Sequence, residues 1–164
     1  MTSDKSVLEI VEGYLIPLIS KPYQWRKRIT KYRSMEQKVL LSQAIVDLVA
    51  KGAVKEVQDQ DHQFLSTMFV VKQSKNIRPI FNLKALNNYV ETQTFKLESL
   101  DLVKTILKPN DYLMKLDLND AYYSVPIAKE HRKYFRFKFE GVIYEYQCLP
   151  FAAYHRYLEH SPNY

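Results

Sequence analysis

Tyr134-Phe135-Arg136-Phe137-Lys138-Phe139-Glu140-Gly141-Val142-Ile143-Tyr144-Glu145-Tyr146-Gln147-Cys148 reads as two alternating runs joined by two residues. Phe135, Phe137 and Phe139 alternate with Arg136 and Lys138, while Tyr144 and Tyr146 alternate with Glu145 and Gln147. A period of two puts each set on one face of a pleated strand. Glu140-Gly141 can supply the tight turn, although Asn-Gly or Asp-Gly would be a stronger signal. The stretch predicts an antiparallel hairpin with strands at Tyr134–Phe139 and Val142–Cys148, and therefore a fold built on a sheet.

Upstream of the hairpin, Tyr112 to Asp117 reads as a mostly buried strand. Leu100, Val103, Ile106 and Leu107 mark an amphipathic helix that stops near Pro109. Met68 to Lys72 and Arg78 to Leu83 read as two strands joined by the mostly polar Gln73–Ile77. Ala53 to Val57 is a further short strand. Before it, Ser34 and Gln37 have capping-box spacing, so hydroxyl and amide can satisfy free backbone N–H groups at a helix start. Leu41, Ala44, Ile45, Leu48 and Val49 fall on one face of that helix, and Gly52 can end it. Residues 1–33, with Pro17 and Pro22, read as an irregular basic lead-in holding one short helix at Val7 to Gly13. The sum is an α+β chain with antiparallel strands and no internal repeat.

The composition narrows what such a chain can do. Hydrophobic residues are 46% of the 164, enough for a packed core. The net charge of +6 favours an anionic partner, most simply nucleic acid. The basic residues bunch at Lys21–Arg33 (Arg26, Lys27, Arg28, Lys31, Arg33) and at His131–Lys138 (Arg132, Lys133, Arg136, Lys138). A solvated surface would have the same appearance. Cys148 is the single cysteine, so no intrachain disulfide forms, in keeping with a reducing compartment. No signal peptide and no apolar run of the ~20 residues that a membrane helix needs is visible, so no membrane partner and an intracellular site are expected.

Chemistry concentrates in Lys115-Leu116-Asp117-Leu118-Asn119-Asp120-Ala121-Tyr122. A carboxylate at the end of a buried strand, before a tight turn, suits a hard cation, and Mg²⁺ prefers oxygen donors. Asp117 can offer its carboxylate and Leu118 its backbone carbonyl. A cap on the following helical turn is the other reading of Asp117, and an isolated Asp-x-x-Asp leaves both open.

The run Lys115 to Pro126 closely resembles the first catalytic motif of retroelement reverse transcriptases. Ser66 to Asn87 resembles their fingers hairpin, Tyr134–Phe139 with Tyr144–Tyr146 their palm hairpin, and Cys148-Leu149-Pro150-Phe151 the opening of their next motif. Val7 to Tyr14 and Lys51 to Val54 look like the DIRS group, the tyrosine-recombinase retrotransposons. The resemblance covers roughly residues 5 to 151 and implies a partial right-hand polymerase fold: fingers and partial palm over 34–151, a lead-in over 1–33, and a tail outside the family over 152–164.

By that resemblance Asp117 is the first catalytic, metal-binding aspartate, and Leu118 shares the metal through its carbonyl. Tyr122 is the steric gate that leaves no room for a ribose 2′-OH. The other reading is that Tyr122 and Tyr123, or one of them, are core aromatics. Asp120 and Ala121 lie under the incoming triphosphate, Lys72 and Arg78 reach its phosphates from the fingers hairpin, and Phe151 packs near the nascent base pair. An Arg fork matches phosphate oxygens well. The implied cofactor is a pair of Mg²⁺ ions, and the implied partners are an RNA or DNA template–primer and a dNTP.

Three departures stand beside the resemblance. The loop between Lys72 and Arg78 lacks the family's usual Asp-Gly. Ala152 stands where the family has glycine, and the text from there to Tyr164 leaves the motif. The family completes its carboxylate set from a later Tyr-x-Asp-Asp, yet no Asp-Asp pair occurs here, and after Asp120 the only acidic residues are Glu130, Glu140, Glu145 and Glu159. Two-metal nucleotidyl transfer needs two or three convergent carboxylates. A fragment inactive by itself is expected, with a nucleic-acid-binding remnant or a decayed product as the alternatives. His155 and His160 with Cys148 fit no usual zinc spacing.

Overall fold

Ser34 starts the main helix as its spacing predicts. In the computed structural model, which describes residues 5–73, 76–91, 100–112, 114 and 121–150, helix α2 spans Met35–Ala50. The Ser34 hydroxyl accepts from the Gln37 N–H at 3.2 Å, and the Gln37 side chain reaches back to accept from the Arg33 N–H at 2.8 Å. At the other end, Gly52 donates to the Val49 carbonyl and Ala53 to the Leu48 carbonyl, the paired bonds of a Schellman stop. Leu41, Ala44, Ile45 and Leu48 are buried. Val49, expected on the same face, is 42% exposed, because the arc that reaches the sheet closes at Leu48.

Helix α1 (Lys5–Gly13) precedes α2, and strands β1 (Val54–Val57), β2 (Leu65–Gln73), β3 (Asn76–Asn82), β4 (Arg136–Phe139) and β5 (Val142–Tyr146) form one sheet in the order β1-β5-β4-β2-β3. All neighbours are antiparallel except β2 and β4, which run parallel over Leu65↔Arg136 and Ser66↔Phe137. β2 starts three residues before its expected start, because Leu65 and Ser66 are recruited by β4. β2 and β3 approach each other from Gln73 and Asn76, so the hairpin connection is shorter than the five residues expected. β3 carries Pro79, which lacks an N–H to donate, and an edge strand tolerates that.

The β4–β5 hairpin forms with Phe137 opposite Tyr144 and Phe139 opposite Val142. Its strands keep the expected ends at the turn, Phe139 and Val142, and are two residues shorter than the sequence suggests at the ends away from it, although the Tyr146 N–H still donates to the Phe135 carbonyl. Glu140 (φ 48°) and Gly141 (φ 86°) both turn left-handed, the requirement of a primed two-residue turn, and glycine meets it without strain. Phe81, Phe137, Tyr144 and Tyr146 pack ring on ring, with Phe137 and Tyr144 stacked at 5.2 Å. α2 lies over β1, β2 and β3, and Leu41, Ile45, Leu48, Val54, Met68, Phe81 and Phe137 share one core. Each fully buried large side chain contributes roughly 1.5–3 kcal/mol over its exposed state.

Helix α3 (Leu100–Ile106) occupies the expected place, but its apolar residues find no cover among the described residues: Leu102, Val103 and Ile106 are exposed. Tyr112 and Met114 are also exposed and outside any strand, which corrects the buried-strand reading at those two positions; the rest of that stretch to Asp117 lies outside the described residues.

Candidate functional site

The segment after the Asp117 motif is held from two sides. Ala121–Ser124 forms a single 3-10 turn. The chain then runs straight between two neighbours: Pro126 pairs with Cys148, and Ile127 pairs with Tyr14. Ile127 donates to the Gln147 carbonyl, Leu149 to the Val125 carbonyl, and Tyr14 to the Pro126 carbonyl, all within 2.7–2.9 Å. The lead-in passes this close because residue 13 is glycine: a Cβ there would meet the Ala128 Cα at 3.2 Å. Val125–Ile127 are therefore set beside the residues that follow β5 by backbone bonds, and Ala121 and Tyr122 stand on the turn that leads into them. Of the two adjacent tyrosines, Tyr123 packs against the core and has the Lys51 ammonium over its ring at 5.8 Å, whereas Tyr122 is half-buried outside that cluster.

Arg78 is exposed on β3 opposite Val71, and Lys72 sits next along β2 opposite Ile77. Both occupy the outer end of the β2–β3 hairpin. Asp117, Leu118, Asp120 and Phe151 lie outside the described residues. The structure thus places Lys72, Arg78, Ala121 and Tyr122 on the hairpin end and on the anchored segment. No group of three or more His, Cys, Asp or Glu side chains that could hold a metal ion occurs among the described residues.

The two basic clusters divide sharply. At His131–Lys138 the two arginines spend their charge on internal bonds. Arg136, 4% exposed, donates through Nε to Glu145 Oε2 (2.8 Å), and its other nitrogens reach Gln63, Gln60 and the same carboxylate. Arg132 donates to the Ile127 carbonyl and to Gln147 Oε1, tying the segment after the motif to β5. The expectation of one phosphate-facing patch there fails for these two residues, since the loop at Gln60–Gln63 covers the strand face that alternation leaves to solvent. His131 is also structural. Its Nδ1 accepts from the Ile16 N–H at 3.1 Å, and partial burial pushes its pKa below the usual histidine value. Cys148 is buried against the Ala53 carbonyl, and burial pushes its thiol up to about 11, so it is a poor nucleophile.

Along Lys21–Arg33 the reverse holds. Arg26, Arg28, Lys31 and Arg33 are exposed, and among the described residues only Lys27 of this run pairs with a carboxylate, Asp59 at 2.9 Å. No helix among the described residues is long and apolar enough to cross a membrane.

Comparison with known proteins bears on the fold and the family. A foamy viral protease-reverse transcriptase, solved in complex with double-stranded DNA, shares the fold with a TM-score of 0.58 at 16% identity, over 83% of this chain and 23% of that one. The Gag-Pol polyprotein of walleye dermal sarcoma virus is 38% identical over 74 residues, 44% of this chain and 4% of the polyprotein. The chain therefore spans a small part of both relatives. The profile of the reverse transcriptase (RNA-dependent DNA polymerase) family matches residues 70–158, just over half of the chain. Those residues include most of the fingers hairpin, the Asp117 motif and the palm hairpin in order, and the chain belongs to the reverse transcriptase family.

Proposed function

We propose that this chain is a fingers and partial-palm portion of a retrotransposon RNA-directed DNA polymerase of the DIRS type, and that these 164 residues alone do not catalyse nucleotide addition. The observation that carries the reading is the joint placement of the two hairpins on one sheet with the segment after the motif tied to the end of β5. On this reading residues 34–151 form the polymerase part, with 1–33 as lead-in and 152–164 outside it. Arg78, with Lys72 beside it, meets the triphosphate of a dNTP. Ala121 and Asp120 lie beneath that group, Tyr122 is the 2′-OH gate, and Phe151 packs near the new base pair.

Asp117 and the Leu118 carbonyl would hold Mg²⁺, for which carboxylate and carbonyl oxygens are suitable hard donors. When bound, the ion would neutralise developing charge on the phosphates. A single carboxylate set of this size is short of the two or three that the two-ion reaction needs, and the sequence offers no Asp-Asp pair. The foamy viral relative was solved with double-stranded DNA, which supports a template–primer as the partner.

Primer extension tests the catalytic part. With an oligo-dT primer on poly-A, dTTP and Mg²⁺, neither the chain nor its Asp117→Asn variant extends the primer. Extension that disappears in Asp117→Asn would overturn the proposed inactivity.

A further inference from the structure

Helix α2 is apolar on two sides. Leu41, Ala44, Ile45 and Leu48 turn to the sheet and are buried. A second row, Met35, Val39, Val46 and Val49, lies on the outer side, and its first three members are 59–68% exposed. Together with half-buried Ser42 these residues are spaced alternately four and three apart, the repeat of a helix seam. At ~100° per residue all five fall within an arc of roughly 80°. Single exposed apolar residues are ordinary on a folded chain, but four in one row are not. The row is also edged by charge of one sign. Glu36, Gln43 and Asp47 run along one side, all exposed, and Gln43 Nε2 donates to Asp47 Oδ1 at 3.0 Å. Neither carboxylate is ion-paired among the described residues. On the other side Lys38 is already committed: its ammonium pairs with Glu140 at 2.6 Å and lies over the Tyr32 ring at 5.4 Å. The rim of this face is thus acidic on a chain whose net charge is +6.

We infer that the outer face of α2 docks an amphipathic helix of a protein partner, with apolar anchors seated on Val39 and Val46 and with Lys or Arg along the edge that meets Glu36 and Asp47. Helix-on-helix docking uses anchors at three- and four-residue intervals, the spacing this row presents. α2 has 16 residues, about 24 Å at ~1.5 Å per residue, so it can seat about four turns of a partner. Opposite charge at the rim selects which helix docks more than it adds affinity. A second copy of the chain answers that charge badly. Packed antiparallel about Ser42, Glu36 of one copy would stand beside Asp47 of the other. Packed parallel, each acidic edge would face the other copy's Lys38, which Glu140 holds. The inference uses no residue of the proposed nucleotide site, so its failure leaves that reading intact.

Fluorescence anisotropy with the full chain in low salt tests it. The probe is a labelled synthetic peptide of eighteen residues, with Leu at alternate three- and four-residue intervals and Lys on both flanks of that row. One control carries Glu in place of Lys, and another has the same residues scrambled. The Lys peptide binds saturably, the Glu peptide binds at least about tenfold more weakly, and the scrambled peptide does not bind. Val39→Ser with Val46→Ser weakens the Lys peptide at least about tenfold, since two apolar side chains leave the contact. Glu36→Lys with Asp47→Lys inverts the order of the Lys and Glu peptides, which loss of structure cannot do. All four positions are exposed, so both variants keep the far-UV circular dichroism of the parent. Equal binding of the Lys and Glu peptides, an order unchanged in the charge-reversed variant, or no binding at ~1 mM peptide overturns the inference. Sedimentation velocity that shows dimers of the parent and monomers of the Val39→Ser, Val46→Ser variant also overturns it and assigns the face to a second copy.

Discussion

Replacing Glu145 by leucine is predicted to cost more stability than replacing Glu145 and Arg136 together. Arg136 and Glu145 are directly opposed on β4 and β5, 4% and 5% exposed. The guanidinium spends its donors on Glu145 Oε2, on Gln63 Oε1 at 2.9 Å and on Gln60 Oε1 at 2.8 Å. Deleting the carboxylate leaves a buried cation with two neutral acceptors, and breaking a buried pair in this way costs about 3–5 kcal/mol. In the double variant Arg136→Met, Glu145→Leu the charge is gone. Burying two apolar side chains then offsets most of the lost attraction. What remains is a Gln63 oxygen without its donor, costing about 1–3 kcal/mol. Urea denaturation followed by far-UV circular dichroism measures both. Tryptophan fluorescence is the wrong probe, because Trp25 is already exposed in the folded chain. With the ~5–15 kcal/mol typical of a domain, Glu145→Leu should move the midpoint far toward zero urea, and the double variant should stay within about 3 kcal/mol of the parent. A single variant that costs under about 1 kcal/mol, or a double variant as unstable as the single one, would refute the argument.

Three further outcomes are expected. Ser66 is 2% exposed with a hydroxyl that meets no hydrogen-bond partner among the described residues, so Ser66→Ala should leave stability unchanged or raise it by about 1 kcal/mol, checked by the same denaturation. His131 is neutral when it accepts from Ile16, and burial, the largest cause, lowers its pKa, with Lys133 adding to the shift and Glu130 opposing it. The folded pKa lies below the unfolded one, so the contribution is present above about pH 6.5 and is lost as pH falls below it. His131→Asn, which keeps an acceptor but does not titrate, should remove that part of the slope in melting temperature between pH 7 and pH 5. Arg78→Gln should weaken dTTP binding to the chain with primer–template by about tenfold or more by calorimetry, the worth of one charge-assisted hydrogen bond; equal affinity would remove Arg78 from the proposed nucleotide site.

Local signals were readable wherever a residue acts on its own neighbours in the chain. Ser34 and Gln37 announce the helix start, Gly52 its stop, and the Phe135–Phe137–Phe139 alternation the hairpin. The parallel contact of Leu65 and Ser66 with β4 was not readable, because it joins residues some seventy apart and leaves no periodic trace. Arg136 misled for a related reason. Alternation assigns it to the strand face opposite the phenylalanines, but says nothing about Gln60 and Gln63 closing over that face. At the site, the order of the motifs marked the Ala121–Pro126 segment and Arg78. The anchoring of that segment by Tyr14, Arg132 and Gln147 depends on tertiary bonds that no spacing encodes. The Lys21–Arg33 stretch gave only a basic-run signal, and its course depends on Gln24 and Thr30 bonding to β2.

The measurement that bears most directly on the account is equilibrium binding of a labelled oligo-dT primer on poly-A template to the chain, read by fluorescence anisotropy from 50 to 200 mM salt. The account predicts saturable binding whose logarithm falls linearly with the logarithm of salt, as phosphate contacts require. A folded chain that binds no primer–template at 50 mM salt would contradict it.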